Sequence, residues 1–265
     1  MNHNDHVHRS ERLKVIIRSV ESGPRRIREL AELTGASTVT IRRDLVELAE
    51  QGALRRTHGG AEVAPARGTE FPFGLRRSES PGAKEALADA AAQLVQPGQS
   101  LLIDNGTTAL AVARRFEGAG VTALALSLHA AAALAARPGN EVIVPGGTVD
   151  ADDLSFVGAD AVDAVRSMRF DVSFLGACSA DPAHGLTVSK WADAKIKRAA
   201  LQSSTRTVLV ATAEKFTRTS AHRFGGFADL DTIITTADAP AVVLQEARQA
   251  GVQVITVPAA SSLPG

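Results

Sequence analysis

Two groups of residues have types and spacings suited to chemistry. The first is Thr38-Val39-Thr40-Ile41-Arg42-Arg43-Asp44-Leu45, closed downstream by Arg55-Arg56-Thr57-His58-Gly59-Gly60-Ala61. Reading a DNA groove needs long cationic donors for guanine edges and phosphates, hydroxyls for phosphates or bases, and small apolar groups for thymine methyls. Arg42 and Arg43, the hydroxyls of Ser37, Thr38 and Thr40, and Val39 supply all three. Taken singly, each arginine reads as solvated surface charge; the ordered set reads as a nucleic-acid face.

The second group lies in glycine- and hydroxyl-rich loops. Asp104-Asn105-Gly106-Thr107-Thr108 leaves an apolar run and opens a helical pattern, the arrangement in which backbone N–H groups and hydroxyls hold a phosphate. Pro145-Gly146-Gly147-Thr148 leaves a second run, and Gly176 to Thr187, with His184-Gly185-Leu186-Thr187 inside it, leaves a third. Lys197 and Lys215 add positive charge, and together these groups suggest a pocket for a small phosphorylated, hydroxyl-rich molecule. Each loop alone is more often an ordinary turn, so their order carries the reading.

The elements that must position the first group follow from periodicity. Leu13, Ile16, Ile17 and Val20 fall at i, i+3, i+4, i+7, an amphipathic helix with Glu11, Lys14 and Arg18 off its stripe, which Gly23-Pro24 ends. Ile27, Leu30 and Ala31 start a short second helix, Thr34-Gly35-Ala36 makes a tight turn, and Ser37 caps a third whose buried face is Ile41, Leu45 and Leu48. At about 100° per residue, Thr40 and Arg43 then point outward, with Val39 and Arg42 on the flanks. After Gln51-Gly52, the segments Leu54-Arg55-Arg56-Thr57 and Ala61-Glu62-Val63 pair as a hairpin around His58-Gly59-Gly60.

Pro65 to Gly74 resists both helix and strand, and the domains are expected at 1–64, with a linker at 65–83, and 84–265. Phe71 and Phe73 are free to pack on either side. From Lys84 onward strand and helix patterns alternate, as in a mainly parallel sheet covered on both faces. The strands are expected at 100–104, 121–126, 141–144, 171–176, 207–211, 232–235 and 253–257, with helices at 84–95, 108–116, 130–136, 160–168, 189–203 and 239–250. No internal repeat is evident.

The 265 residues hold 29 basic and 29 acidic side chains, so the whole molecule offers no attraction to nucleic acid. The charge is uneven: Arg9 to Arg56 carries 11 basic against 7 acidic residues, and only that part suits DNA. One cysteine, Cys178, excludes an internal disulfide and suits a reducing cytoplasm. No apolar run approaches the ~18 residues of a membrane span, and no signal peptide precedes Glu11, so a cytoplasmic protein is expected. His3, His6 and His8 read as a frayed polar terminus rather than a metal site, and no metal or cofactor is expected.

Met1 to about Ala64 resembles the winged helix-turn-helix of the DeoR family of bacterial regulators, through the TIRRDL string at 40–45 and the HGGA string at 58–61. IDNGTT, PGGTV, FLGA, GLT with a following DAKIKRA helix, and EKF occur in the order of the DeoR sensor domain, which resembles the sugar-phosphate isomerase fold typified by ribose-5-phosphate isomerase. The resemblance implies a regulator, most often a repressor, of carbohydrate or related carbon metabolism, relieved by a phosphorylated intermediate. It implies operator DNA contact at Ser37, Thr38, Thr40, Arg42, Arg43, Arg55, Arg56 and His58, with Asp44 structural because phosphate would repel it. It places the effector at Asp104, Gly106, Thr107, Thr108, Gly146, Gly147, Gly176, Gly185, Lys197 and Lys215. The chain departs from the family pattern at Ala125-Leu126-Ser127, Ala211-Thr212 and Thr235-Thr236, each losing a polar or acidic group.

The assembly expected is a homo-oligomer, at least a dimer, whose paired reading helices match operator half-sites until effector shifts the population. The alternative is an isomerase-type enzyme carrying a DNA-binding domain. Isomerisation needs a tuned carboxylate base, for which Asp104, Asp160 and Asp163 are the candidates.

Overall fold

The computed structural model describes residues 3–50, 54–63 and 73–259, which fall into two compact units, 1–79 and 80–265. In the first unit the expected apolar stripes become one core. Helices α1 (His3–Glu21), α2 (Ile27–Thr34) and α3 (Thr38–Glu50) meet through Leu13, Ile16, Ile17, Val20, Leu30, Ile41, Leu45 and Leu48, all buried. Helix α1 takes in His3, His6 and His8, which corrects the frayed terminus: no glycine or proline interrupts the backbone ahead of the apolar stripe.

Between α1 and α2 the chain forms a two-residue strand, β1 (Arg25–Arg26), which the periodicity did not announce. It adds to the hairpin of β2 (Leu54–Thr57) and β3 (Gly60–Val63), giving the antiparallel order β1-β3-β2. The hairpin turn is therefore His58-Gly59, and Gly60 belongs to the strand. A Cβ at Gly60 would strike the Arg25 carbonyl, so only glycine lets β1 lie this close. The expected linker 65–83 also differs: α4 (Phe73–Ser78) forms inside it and touches α1, with Phe73 buried under the Arg76 guanidinium. Phe71 and the expected stop at Gln51-Gly52 lie outside the described residues.

The second unit runs α5 (Pro81–Ala92), β4 (Ser100–Ile103), α6 (Thr107–Arg115), β5 (Thr122–Ala125), α7 (Leu128–Leu134), β6 (Glu141–Ile143), β7 (Thr148–Val149), β8 (Phe156–Val157), α8 (Ala159–Arg166), β9 (Phe170–Leu175), β10 (Ser179–Asp181), β11 (Gly185–Val188), α9 (Trp191–Ser203), β12 (Ser204–Val210), β13 (His222–Gly225), β14 (Thr232–Thr236), α10 (Ala241–Gln249) and β15 (Gln253–Val257). Short 3-10 turns at Ala213–Phe216 and Phe227–Asp229 flank β13. All seven expected strands join one parallel sheet of order β15-β14-β12-β9-β4-β5-β6.

Alternate side chains of these strands enter opposite cores, as a two-residue period requires. Leu101, Ile103, Val172, Phe174, Val208 and Val210 pack with Leu87, Val112 and Leu134 of α5, α6 and α7. Leu102, Leu124, Leu175, Leu209 and Ile233 pack with Val165, Ile196 and Leu244 of α8, α9 and α10.

From β4 the chain winds to β5 and β6 on one side, then crosses back to β9, β12, β14 and β15 on the other. The winding reverses between β4 and β9, and a crevice opens outside the carboxyl ends of strands at such a point. A ribbon of β7 and β8 and an antiparallel sheet of order β10-β11-β13 were not foreseen. No helix among the described residues is long and apolar enough to cross a membrane.

Candidate functional site

The reading face is set by the turn between α2 and α3. Gly35 ends α2 with a left-handed φ of 67°. Ser37 then caps α3 as expected, its Oγ accepting from the Thr40 N–H at 3.1 Å and lying 2.9 Å from the Thr40 Oγ1. With Ile41, Leu45 and Leu48 inside, Thr38, Val39, Arg42 and Arg43 are exposed and Thr40 is half-buried. Val39 is an exposed apolar group on a polar surface.

Asp44 faces inward at 3% exposure. Arg12 of α1 donates to it through Nε at 2.7 Å and Nη2 at 3.3 Å. The hydrogen bond to Asp44 raises the Arg12 pKa against the opposing effect of burial. Asp44 thus locks α3 to α1 and takes no part in the outer surface.

On the wing, Arg55 stands opposite Glu62 and pairs with it, whereas Arg56 stands opposite Ala61. Among the described residues Arg42, Arg43 and Arg56 are in no ion pair, so three guanidinium groups keep their charge available. His58 is exposed at the wing tip.

In the second unit, Asp104 and Gly176 end β4 and β9, at the point where the winding reverses. The Gly176 N–H donates to Asp104 Oδ2 at 2.7 Å, and the Asp104 N–H donates to the Phe174 carbonyl at 3.1 Å. Asp104 is fully buried, and Lys197 of α9 reaches it at 2% exposure to donate to the same Oδ2. Asp193 Oδ1, one turn earlier on α9, is 3.7 Å from the Lys197 ammonium and 3.5 Å from the Asn105 amide nitrogen. Burial opposes the Lys197 charge, but Asp104 and Asp193 outweigh it and hold the pKa above its ordinary value.

The expectation that Lys197 lends a free positive charge to the pocket is thereby corrected, because a buried ammonium survives only when paired. Asp104 Oδ1, on the same carboxylate, is buried with no hydrogen-bond partner. Beside it Gly106 precedes α6, whose first turn contains Thr107 and Thr108 and whose first N–H groups have no partner within the helix.

The remaining predicted residues are more dispersed. Gly146 and Gly147 lie exposed between β6 and β7, and a Cβ at Gly147 would overlap the Asp160 carboxylate, which makes that loop unfavourable for an anion. Gly185 begins β11 and abuts the Gly225 carbonyl, a packing constraint rather than an open loop. Lys215 lies in the turn after β12 and is 3.5 Å from Glu214.

The family departures are absorbed structurally. Leu126 joins the core, Ser127 caps α7, and Thr236 Oγ1 accepts from the Ala213 N–H at 3.1 Å. Thr235 Oγ1 is buried without a partner. Sequence reasoning missed Asp193, whose i,i+4 spacing to Lys197 was the available signal. It also missed Lys190, which donates to Asp150 at 2.6 Å and ties the β7–β8 ribbon to the start of α9.

Comparison with known proteins agrees with this division. Residues 12–66 match the DeoR-like helix-turn-helix domain and residues 79–237 match the DeoR C terminal sensor domain. The chain is 32% identical over 247 residues to the HTH-type transcriptional regulator GlpR of Haloferax volcanii, covering 93% of this chain and 97% of the relative. It is 31% identical over 218 residues to the glycerol-3-phosphate regulon repressor of Escherichia coli K12, covering 82% and 86%. Ribose 5-phosphate isomerase A of Methanocaldococcus jannaschii overlays with a TM-score of 0.37 and 17% identity, covering 52% of this chain and 55% of that one. With both domain models matched in order and relatives aligned along most of its length, the chain belongs to the DeoR family of helix-turn-helix transcriptional repressors.

Proposed function

We propose that the chain represses genes of sugar or related carbon metabolism and releases operator DNA when a phosphorylated, hydroxyl-bearing metabolite binds outside the carboxyl ends of β4 and β9. The observation that carries this reading is the buried Asp104 Oδ1, an acceptor without a partner beside the amino end of α6. The helix end and the Thr107 and Thr108 hydroxyls suit a phosphate. Asp104 Oδ1 suits a ligand hydroxyl, because filling it relieves an unsatisfied buried acceptor. Gly106 and Gly176 bring backbone to this point, and Lys197 is spent on Asp104 and Asp193 rather than touching phosphate. Gly146, Gly147, Gly185 and Lys215 are given no direct contact. The relative named as the glycerol-3-phosphate regulon repressor supports a phosphorylated polyol as the class.

On DNA, Arg42 and Arg43 read base edges with Thr38, Thr40 and Val39 beside them, while Ser37, Arg56 and His58 contact the backbone. Arg55, shared with Glu62, contributes less. Two copies act together, since a helix-turn-helix dimer matches half-sites spaced by whole turns of duplex. No catalytic step is assigned: Asp160 and Asp163 are exposed on α8, and Asp104 is engaged in an ion pair with the Lys197 ammonium.

Fluorescence anisotropy with the protein's own promoter tests the reading. Full-length protein should prefer that duplex over a scrambled one, and ribose 5-phosphate or glycerol 3-phosphate should release it where inorganic phosphate does not. Equal binding to both duplexes removes the operator role. Release by inorganic phosphate alone removes the hydroxyl's role.

A further inference from the structure

A second concave site lies on the outer surface of the sensor unit, where α8 packs beside α9. The cavity measures about 550 Å³ and is lined by Val162, Asp163 and Arg166 of α8 and by Trp191, Lys195 and Arg198 of α9, among others. That volume lies within the range of small-molecule pockets, roughly 300–1,000 Å³. Trp191 is the chain's only tryptophan, and it is 52% exposed. An aromatic ring exposed in a groove among cations offers a face on which a planar group can stack.

The ring is also fixed in place. The Arg198 guanidinium lies 4.8 Å from its centroid, His222 meets it edge-on at 5.7 Å, and Arg198 Nη2 donates to the Arg223 carbonyl at 2.6 Å. The groove carries three cations, Arg166, Lys195 and Arg198, against one carboxylate, Asp163. None of the three cations is in an ion pair among the described residues. A net positive groove repels an identical groove on a second copy, whereas it attracts an anion. An exposed, oriented π surface adds a requirement for a planar group to stack on it.

We propose that the α8–α9 groove is a second ligand site, separate from the crevice at β4 and β9, and that it takes a planar aromatic anion of nucleotide size. Trp191 stacks the ring, Arg166 and Lys195 hold the phosphate, and Arg198 keeps the indole oriented.

Because Trp191 is alone in the chain, its emission reports the site directly in the full-length protein. Titration with adenosine 5′-monophosphate should change that emission saturably, with Kd below about 1 mM. Inorganic phosphate, which has the anion without the ring, and adenosine, which has the ring without the anion, should leave it unchanged. Excess ribose 5-phosphate should not displace the nucleotide. The double variant Arg166→Ala, Lys195→Ala, at two exposed positions, should keep the native circular dichroism and raise Kd by about tenfold or more, as expected for losing charge-assisted hydrogen bonds. Three results overturn the proposal: an unaltered Trp191 emission with the nucleotide, an equal response to inorganic phosphate, or emission that changes with protein concentration in the absence of ligand, which would mark the groove as a contact between copies.

Discussion

Replacing Lys197 with methionine tests the arrangement at the reversal point most severely. Methionine keeps most of the side-chain volume but removes the ammonium that donates to Asp104 Oδ2 and attracts Asp193 Oδ1 at 3.7 Å. Asp104 would keep the Gly176 N–H as its only hydrogen-bond donor among the described residues, at 0% exposure. At an effective dielectric of about 20, two unit charges near 4 Å attract by about 4 kcal/mol. Part of this is offset in the native protein by desolvation. Breaking one side of a buried pair costs about 3–5 kcal/mol because the other charge is left uncompensated.

Urea unfolding followed by Trp191 emission reads this loss, since Trp191 begins the same helix as Lys197 and the unit spanning 1–79 has no tryptophan. With a slope of about 3 kcal/mol/M, the midpoint should fall by about 1–1.7 M. The double variant Asp104→Asn, Lys197→Met should recover most of that shift, because it removes both charges instead of stranding one. A midpoint drop under about 0.3 M, or no recovery in the double variant, would refute a buried, charged pair. The same comparison separates structure from sensing. If Lys197 held phosphate directly, the double variant would recover stability yet bind no sugar phosphate, whereas the indirect role leaves weakened but measurable binding.

Two further predictions concern the reading face and the ribbon. Arg43→Ala should weaken binding to the specific duplex by about 1–3 kcal/mol and leave scrambled duplex little changed, while Arg56→Ala should weaken both alike and lower the salt-dependence slope by about 1; equal losses on both duplexes for Arg43→Ala would remove it from base reading. At the ribbon, the Lys190 hydrogen bond holds the Asp150 pKa below its ordinary 3.8. The stability from that depressed value is fully present above pH 3.8 and disappears as pH falls through the lower folded value. Melting temperatures of the native protein and Asp150→Asn should therefore differ by a constant amount from neutral pH downward and converge in acid, and a gap that persists at the acid end would assign the difference to something other than Asp150 ionisation.

What the sequence disclosed and what it hid divide along range in the chain. The three-helix core was legible because Leu13 to Val20 and Ile41 to Leu48 repeat with the helical period, and the strands because β4, β5, β9, β12 and β14 are largely buried apolar runs of four to seven residues, whereas β6 has three residues and it and β15 are partly exposed at the sheet edges. The expected loops at 104–108 and 145–148 end earlier than their motifs, because Thr107 and Thr108 already belong to α6 and Thr148 to β7. β1, β7, β8 and β10 have only two or three residues each, too few to show a period, and their pairing depends on partners far along the chain.

Charge was the least legible property. A lysine in isolation reads as solvated, and Lys197 finds Asp104 across 93 positions, just as Arg12 finds Asp44 across 32. Both pairs sit where a carboxylate had to be explained, and in both the fold answers by burying the acid against a cation. Among the described cations in no ion pair are Arg42, Arg43 and Arg56 on one unit and Arg166 and Lys195 on the other, all of which face outward. Arg56, which is in no ion pair, is therefore proposed for DNA contact ahead of Arg55, and the amino end of α6 for phosphate ahead of the paired Lys197.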